Sequence, residues 1–78
     1  MSTRNTYHVL LDHSSGKWRI VLAKSRNAPA ALVVKEEAIQ KARELAETNM
    51  PSLVIVHNTD GTVQTKYIYE DDPFSYDG

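Results

Sequence analysis

The sequence predicts an α+β fold in the order strand, strand, helix, strand, strand, with one helix packed on a four-stranded, largely antiparallel sheet. Two patterns support this. In the N-terminal third, apolar and polar residues alternate, which is typical of paired strands. Between residues 35 and 49, apolar residues recur every three or four positions, which is typical of a helix with one buried stripe. We expect one domain over residues 1–69, because a chain of 78 residues supports a single small core.

The first two strands are predicted at residues 6–11 and 17–23, paired as a hairpin. Residues 12–16 (DHSSG) supply the short polar side chains and the glycine that tight turns use. In residues 24–31 the alternation is lost, and Pro29 cannot donate a hydrogen bond to a sheet. We therefore expect this stretch to be a connection.

The helix is predicted from about residue 35 to residue 49. Its start is poorly marked, because Val34 stands where a Ser, Thr or Asp cap is preferred. Its end is clearer, since Asn49 is a plausible terminator and Pro51 follows it. The predicted buried stripe consists of Ala38, Ile39, Ala42, Leu45 and Ala46.

The third strand is predicted at residues 53–57 and is apolar on both alternating faces. An unbroken apolar strand implies cover on both sides, whereas one helix covers only one side. We expect a second copy of the protein to cover the other side, through Leu10, Val54 and Val56. A turn at residues 58–61 and a fourth strand at residues 62–69 complete the prediction. The expected core is Trp18, Ile20, Leu22, Ile39, Ala42, Leu45, Ala46 and Ile55.

Charge is divided unevenly along the chain. Residues 1–35 contain six Lys or Arg and one acid, whereas residues 36–78 contain three Lys or Arg and nine acids. Attraction between the two halves, within the fold or across a dimer, is the preferred interpretation. The alternative is a nucleic-acid-binding protein whose basic hairpin region contacts phosphates. Its candidate contacts are Lys17, Arg19, Lys24 and Arg26.

Residues 70–78 form an acidic tail after the last predicted strand. Their composition is typical of a flexible segment, although two aromatic residues would also allow docking on a protein surface. A second alternative is therefore a small phage or bacterial inhibitor that binds a larger protein through this tail. The candidate contacts are Glu70, Asp71, Asp72, Phe74 and Tyr76.

No catalytic or metal-binding motif stands out. The chain has no cysteine, and the spacing of its three histidines, His8, His13 and His57, matches no metal site. Ser14 and Ser15 lie beside His13 only as neighbours in a turn, which rarely gives a nucleophile and base the required geometry. We expect a protein that is not an enzyme and uses no cofactor or metal. Without about 20 consecutive apolar residues or a signal-peptide core, it is also expected to be cytoplasmic and not membrane-bound.

Several short motifs, in order and spacing, resemble a small bacterial family called domain of unknown function 2188. They are Tyr7-His8-Val9, Gly16 and Trp18, Glu37-Ala38-Ile39, Ala42-Arg43-Glu44-Leu45-Ala46, Leu53-Val54-Ile55, His57, Asp60-Gly61, Tyr69 and Asp72-Pro73-Phe74. The chain departs from the family pattern at Val34, at residues 27–31 and at Glu70-Asp71. The resemblance implies a bacterial or phage-borne domain with the predicted element order and no assigned activity or catalytic residues. We expect a non-enzymatic, homodimeric interaction module.

Overall fold

The computed structural model describes residues 4–23 and 30–70, and these residues form one mixed sheet covered on one face by a helix. The elements are β1 (Asn5–Asp12), β2 (Lys17–Leu22), β3 (Ala30–Leu32), α1 (Lys35–Thr48), β4 (Ser52–His57) and β5 (Val63–Tyr69). The strand order is β3-β2-β1-β4-β5. Strands β1 and β4 are parallel, and the other neighbours are antiparallel. The predicted α+β class and the largely antiparallel sheet are confirmed.

The sheet has one strand more than the sequence predicted. Ala30–Leu32 forms an edge strand, with Leu32 opposite Trp18 and Ala30 opposite Ile20. The prediction of a connection over residues 24–31 was therefore wrong at its C-terminal end. Three residues are too few to show an alternating pattern, and the neighbouring Pro29 argues against a strand. Residues 24–29 lie outside the described residues.

Strands β1 and β4 form the centre of the sheet, and α1 lies on the connection from β3 to β4. In the parallel pair, Tyr7 lies opposite Val54, and Val9 lies opposite Val56. Since residues opposite one another share a face of the sheet, this register places all four side chains on the same side. That side is the one against α1, whose buried residues join them in one core.

The core therefore lies between α1 and one face of the sheet. Its fully or nearly fully buried residues are Tyr7, Val9, Trp18, Ile20, Ala38, Ala42, Ala46, Val54 and Val56, and Ser52 is buried beside them. Leu22, Ile39 and Leu45 pack against this cluster, as the sequence predicted.

Two predicted positions on β4 were wrong. Val54 and Val56 were expected on the helix-free face, yet both are 0% exposed and lie in the core under α1. Ile55 was expected in the core and, by strand alternation, lies on the helix-free face. A strand that is apolar on both faces does not indicate which face meets the helix, and here the register with β1 decides it. Leu10 does lie on the helix-free face, as predicted, opposite Arg19 of β2.

The helix ends where the sequence predicted, and its last residues are tied to the central strands. The Asn49 backbone N–H donates to Leu45 O, and its side-chain amide donates to the same carbonyl at 2.8 Å. The Asn49 carbonyl accepts from Asn5 Nδ2 of β1 at 2.8 Å and from Ser52 Oγ of β4 at 2.6 Å. These bonds satisfy groups that a helix end leaves without intrahelical partners. At the other end, Val34 supplies no side-chain cap, also as predicted.

Both predicted tight turns are present. Gly16 in the β1–β2 turn and Gly61 in the β4–β5 turn have φ angles of 73° and 93°, which residues with a Cβ rarely adopt. Because β1 and β4 are parallel, the two turns lie side by side at one end of the sheet. A bond between His13 Nε2 and the Thr59 carbonyl, 3.0 Å long, joins them.

The alanine stripe of α1 gives a test of how tightly the helix packs. Ala38, Ala42 and Ala46 are all 0% exposed, so an Ala42→Leu substitution adds three carbons at a fully buried position between the helix and the sheet. We expect it to lower the free energy of unfolding by about 1–3 kcal/mol, measured by urea denaturation. The matched control is Glu47→Leu on the exposed side of the same helix, which should change stability far less. Equal effects of the two substitutions would contradict this packing.

Candidate functional site

The face of the sheet opposite α1, here called the open face, has an apolar centre. Val63 lies opposite His57 at the turn end of this face and is 51% exposed. The five apolar side chains nearer the centre come from four strands and are half-buried, except Ile68, which is 63% exposed. They are Leu10, Val21, Leu53, Ile55 and Ile68. Within this set, Leu53 lies directly opposite Ile68. On β1 and β4, the open-face positions at residues 6–10 and 53–57 contain no Asp, Glu, Lys or Arg.

Charged groups lie around this centre, and several of them pair with one another. Arg19 Nη1 donates to Asp12 Oδ2 at 3.2 Å at one margin. At another, Arg4 before β1 pairs with Glu70 after β5. Lys66 belongs to the edge strand β5, opposite Ile55. The open face thus combines an uncharged centre with a charged rim of both signs.

Two histidines contact each other on the open face. His8 of β1 and His57 of β4 stack with ring centroids 5.2 Å apart and planes inclined by 27°. His8 Nδ1 and His57 Nε2 are 3.0 Å apart, and His57 Nδ1 is 3.1 Å from the Gly61 carbonyl oxygen. A carbonyl oxygen only accepts, so His57 Nδ1 carries the hydrogen of that bond. In neutral His57 the Nε2 atom is then an acceptor, and His8 Nδ1 donates to it.

The surroundings of His8 favour its uncharged form. Burial lowers the pKa of His8 below its ordinary value, and the positive charge of His57 lowers it further. Directly across the neighbouring strands from His8 lie Val21 and Ile55, which offer no charge to compensate an imidazolium.

The carboxylates at the turn end of the sheet are already engaged. Asp12 accepts hydrogen bonds from Ser14 and Arg19, which hold the pKa of its carboxyl well below the usual range. Hydrogen bonds from Thr62 lower the pKa of Asp60. Each carboxylate caps its own turn, as Asp does in many tight turns. A shallow cleft of about 410 Å³ lies between the turns, lined in part by Leu10, His13 and His57.

The structure brings some of the predicted site residues together and separates others. Lys17 is exposed at the start of β2, opposite Asp12, and Arg19 is paired with Asp12. Lys24 and Arg26 lie outside the described residues. The described part of the chain therefore does not show the four predicted nucleic-acid contacts as one basic cluster. Within residues 4–23 and 30–70, no three His, Cys, Asp or Glu side chains are grouped to hold a metal ion.

Of the predicted tail contacts, the structure describes only Glu70. Glu70 pairs with Arg4, and therefore contacts its own domain. Asp71, Asp72, Phe74 and Tyr76 lie outside the described residues.

Sequence reasoning missed the contact between His8 and His57. The two residues are 49 positions apart, and only the parallel pairing of β1 with β4 brings them together. His8 interrupts the apolar run of β1, and His57 ends that of β4, so each is a polar residue beside an apolar strand sequence.

Fold and surface together define a small α+β domain with one helix-covered face and one open face that has an apolar centre and a charged rim. The sequence profile of a bacterial family described as "Uncharacterized protein conserved in bacteria (DUF2188)" matches residues 7–69, from β1 to the end of β5. The chain belongs to this family. No curated protein and no solved structure gives a match. In the described part of the chain, α1 is neither long nor apolar enough to cross a membrane.

The lowered pKa of His8 predicts how stability depends on pH. Below about pH 6.5, His8 binds a proton more readily in the unfolded chain than in the folded chain. The free energy of unfolding should therefore decrease as the pH is lowered. The fall should stop once His8 in the folded protein is also protonated. The pKa values of Asp12 and Asp60 are also lowered. Their contributions to the free energy of unfolding are lost only below about pH 4, outside the pH range in which His8 acts.

Urea denaturation between about pH 8 and pH 5 measures this dependence. His8→Phe removes the group and should flatten the curve in that range. His13→Gln, in the exposed β1–β2 turn, serves as the control and should leave the His8 contribution in place. An unchanged slope in His8→Phe would contradict the assignment.

Proposed function

We propose that this protein is a non-enzymatic interaction module that forms a homodimer through its open face. The observation that supports the proposal is the apolar centre of that face, formed by Leu10, Val21, Leu53, Ile55 and Ile68. Apolar side chains grouped on an uncovered face of a small protein mark interaction surfaces. The original interface prediction is thereby revised, since Leu10 stays in it and Leu53 and Ile55 replace Val54 and Val56.

The size of the open face is that of a modest dimer interface. Five strands with the usual spacing and length present a face of roughly 500 Å². Two such faces in contact would bury about 1,000 Å² in total, which is near the lower limit for specific interfaces. Two sheets packed face to face would also give the domain the second apolar layer that one helix does not supply.

The distribution of charge favours a second copy over a strongly charged partner. Interfaces between proteins commonly have an apolar core and a polar rim, and the open face follows that pattern. At the rim, Arg19 is paired with Asp12 and Arg4 with Glu70, which leaves no strong field of one sign there among the described residues. Two identical faces of this kind would repel each other little.

The two alternative functions predicted from the sequence remain predictions. Binding to nucleic acid is weakened by the engagement of Arg19 with Asp12, and half of its predicted contacts, Lys24 and Arg26, fall outside the described residues. Inhibition of a larger protein through the acidic tail depends almost wholly on residues after Glu70. No observation on the described residues favours either alternative over the dimer.

Ile55→Glu tests the dimer directly. Ile55 lies opposite Lys66, so the new carboxylate would have a cation across the strand pair within one copy, which favours folding. It would also put a carboxylate at the centre of an otherwise apolar interface, which disfavours association. We expect the variant to remain folded by circular dichroism and to be monomeric by light scattering, where the unsubstituted protein is dimeric. Dimerisation of the unsubstituted protein should not weaken at high salt, because the interface is apolar.

Gln64→Glu is the matched control. It makes the same change of charge on the neighbouring strand β5, where Gln64 accepts a hydrogen bond from Lys35 at the start of α1. This variant should dimerise like the unsubstituted protein. A folded Ile55→Glu variant that stays dimeric, or an unsubstituted protein that is monomeric over a wide concentration range, would refute the proposed interface.

A further inference from the structure

The stacked histidine pair lies within the proposed dimer interface. His8 and His57 occupy open-face positions of the two central strands, and His8 lies directly opposite Ile55. We propose that the His8–His57 pair couples dimerisation to pH, so that two copies associate when the pair is neutral and separate when it takes up protons. This inference rests on the proposed dimer and adds its regulation.

The hydrogen bonds of the pair limit how many protons it can hold. His57 donates through Nδ1 to Gly61 O, and in its neutral form accepts from His8 Nδ1 through Nε2. One additional proton fits on His8 Nε2 and leaves these bonds intact. A further proton on His57 Nε2 would place two N–H donors 3.0 Å apart, facing each other. The neutral pair is therefore compatible with this geometry, the singly charged pair adds a charge to the face, and the doubly charged pair breaks the contact.

No described carboxylate is placed to neutralise such a charge. In the described part of the chain, His13 is the other histidine near the pair, and the charged groups on the open face and its turns are Arg4, Asp12, Lys17, Arg19, Asp60, Lys66 and Glu70. Three of them are acids, and each already has a partner, since Asp12 accepts from Arg19, Asp60 from Thr62 and Glu70 from Arg4. The others are cations, which oppose protonation of a neighbouring imidazole.

Association of two open faces would increase the cost of a charged pair. The second copy would replace water over His8 and His57 with apolar side chains, and burial without a counter-ion disfavours the charged form of histidine. Dimer formation would then release protons at any pH at which the histidine pair of the free monomer is protonated. Each proton released on association changes the dissociation constant about tenfold per pH unit. One proton from each copy makes two per dimer, so the dissociation constant can change by up to about 100-fold per pH unit.

The dissociation constant, measured by sedimentation velocity at constant ionic strength from about pH 8 to about pH 5.5, tests the inference across the range in which histidine titrates. We expect the constant to rise at least tenfold at the acidic end, with circular dichroism showing that the chain stays folded. The double variant His8→Phe/His57→Phe retains planar, uncharged rings and should dimerise with little dependence on pH. His8→Gln provides a second, smaller change should the double variant not fold, and should also reduce the dependence.

His13→Gln is the matched control, because it removes a histidine that bonds to the Thr59 carbonyl and not to the pair, and the glutamine amide can donate to the same carbonyl. It should keep the full pH dependence. A dissociation constant that is the same at about pH 8 and at about pH 5.5 would overturn this inference without contradicting the proposed interface. A pH dependence that persists in the folded double variant, or disappears in His13→Gln, would also overturn it. A monomer at about pH 8 would instead refute the proposed dimer itself.

Discussion

The register between the parallel strands β1 and β4 is the constraint on which the rest of this structure depends. It places Val9 opposite Val56 and Tyr7 opposite Val54, so that both pairs lie beneath α1. The same register places His8 opposite Ile55 on the other side of the sheet. A shift by one residue would exchange the two sets, since alternate side chains point to opposite faces. The β1–β4 register therefore determines the composition of the core, the composition of the open face and the contact between the two histidines.

The register is supported at the start of both strands. Asn5 and Ser52 lie opposite each other at the beginning of β1 and β4, and both donate to the Asn49 carbonyl at the end of α1. The backbone N–H of Asn5 also donates to the Pro51 carbonyl at 3.0 Å. Helix end and central strands are thus connected by hydrogen bonds, while the alanine stripe of α1 lets the helix approach the sheet closely. Hydrogen bonds at the end of α1 and apolar packing along it therefore both fix the position of the helix on the sheet.

Within residues 4–23 and 30–70, a single helix lies on the five-stranded sheet and covers one of its two faces. In a family described only as uncharacterised and conserved in bacteria, the uncovered face is the surface with the clearest chemical character. Its apolar centre supports the proposed association with a second copy, and its histidine pair supports control of that association by protons. Both proposals concern the same few side chains, because the sheet brings them together in one place.

The sequence by itself determined the α+β class, the helix from Lys35 and its end at Asn49, and both glycine turns, because each depends on local periodicity or local backbone preference. It also showed that β4 is apolar on both of its faces. It did not determine which β4 residues meet the helix, and so Val54 and Val56 were predicted on the wrong face and Ile55 in the core. It did not reveal β3, which is three residues long, or the contact of His8 with His57. Those features depend on which strands become neighbours and in what register, and only the tertiary structure decides that, since pairing joins residues far apart in the chain.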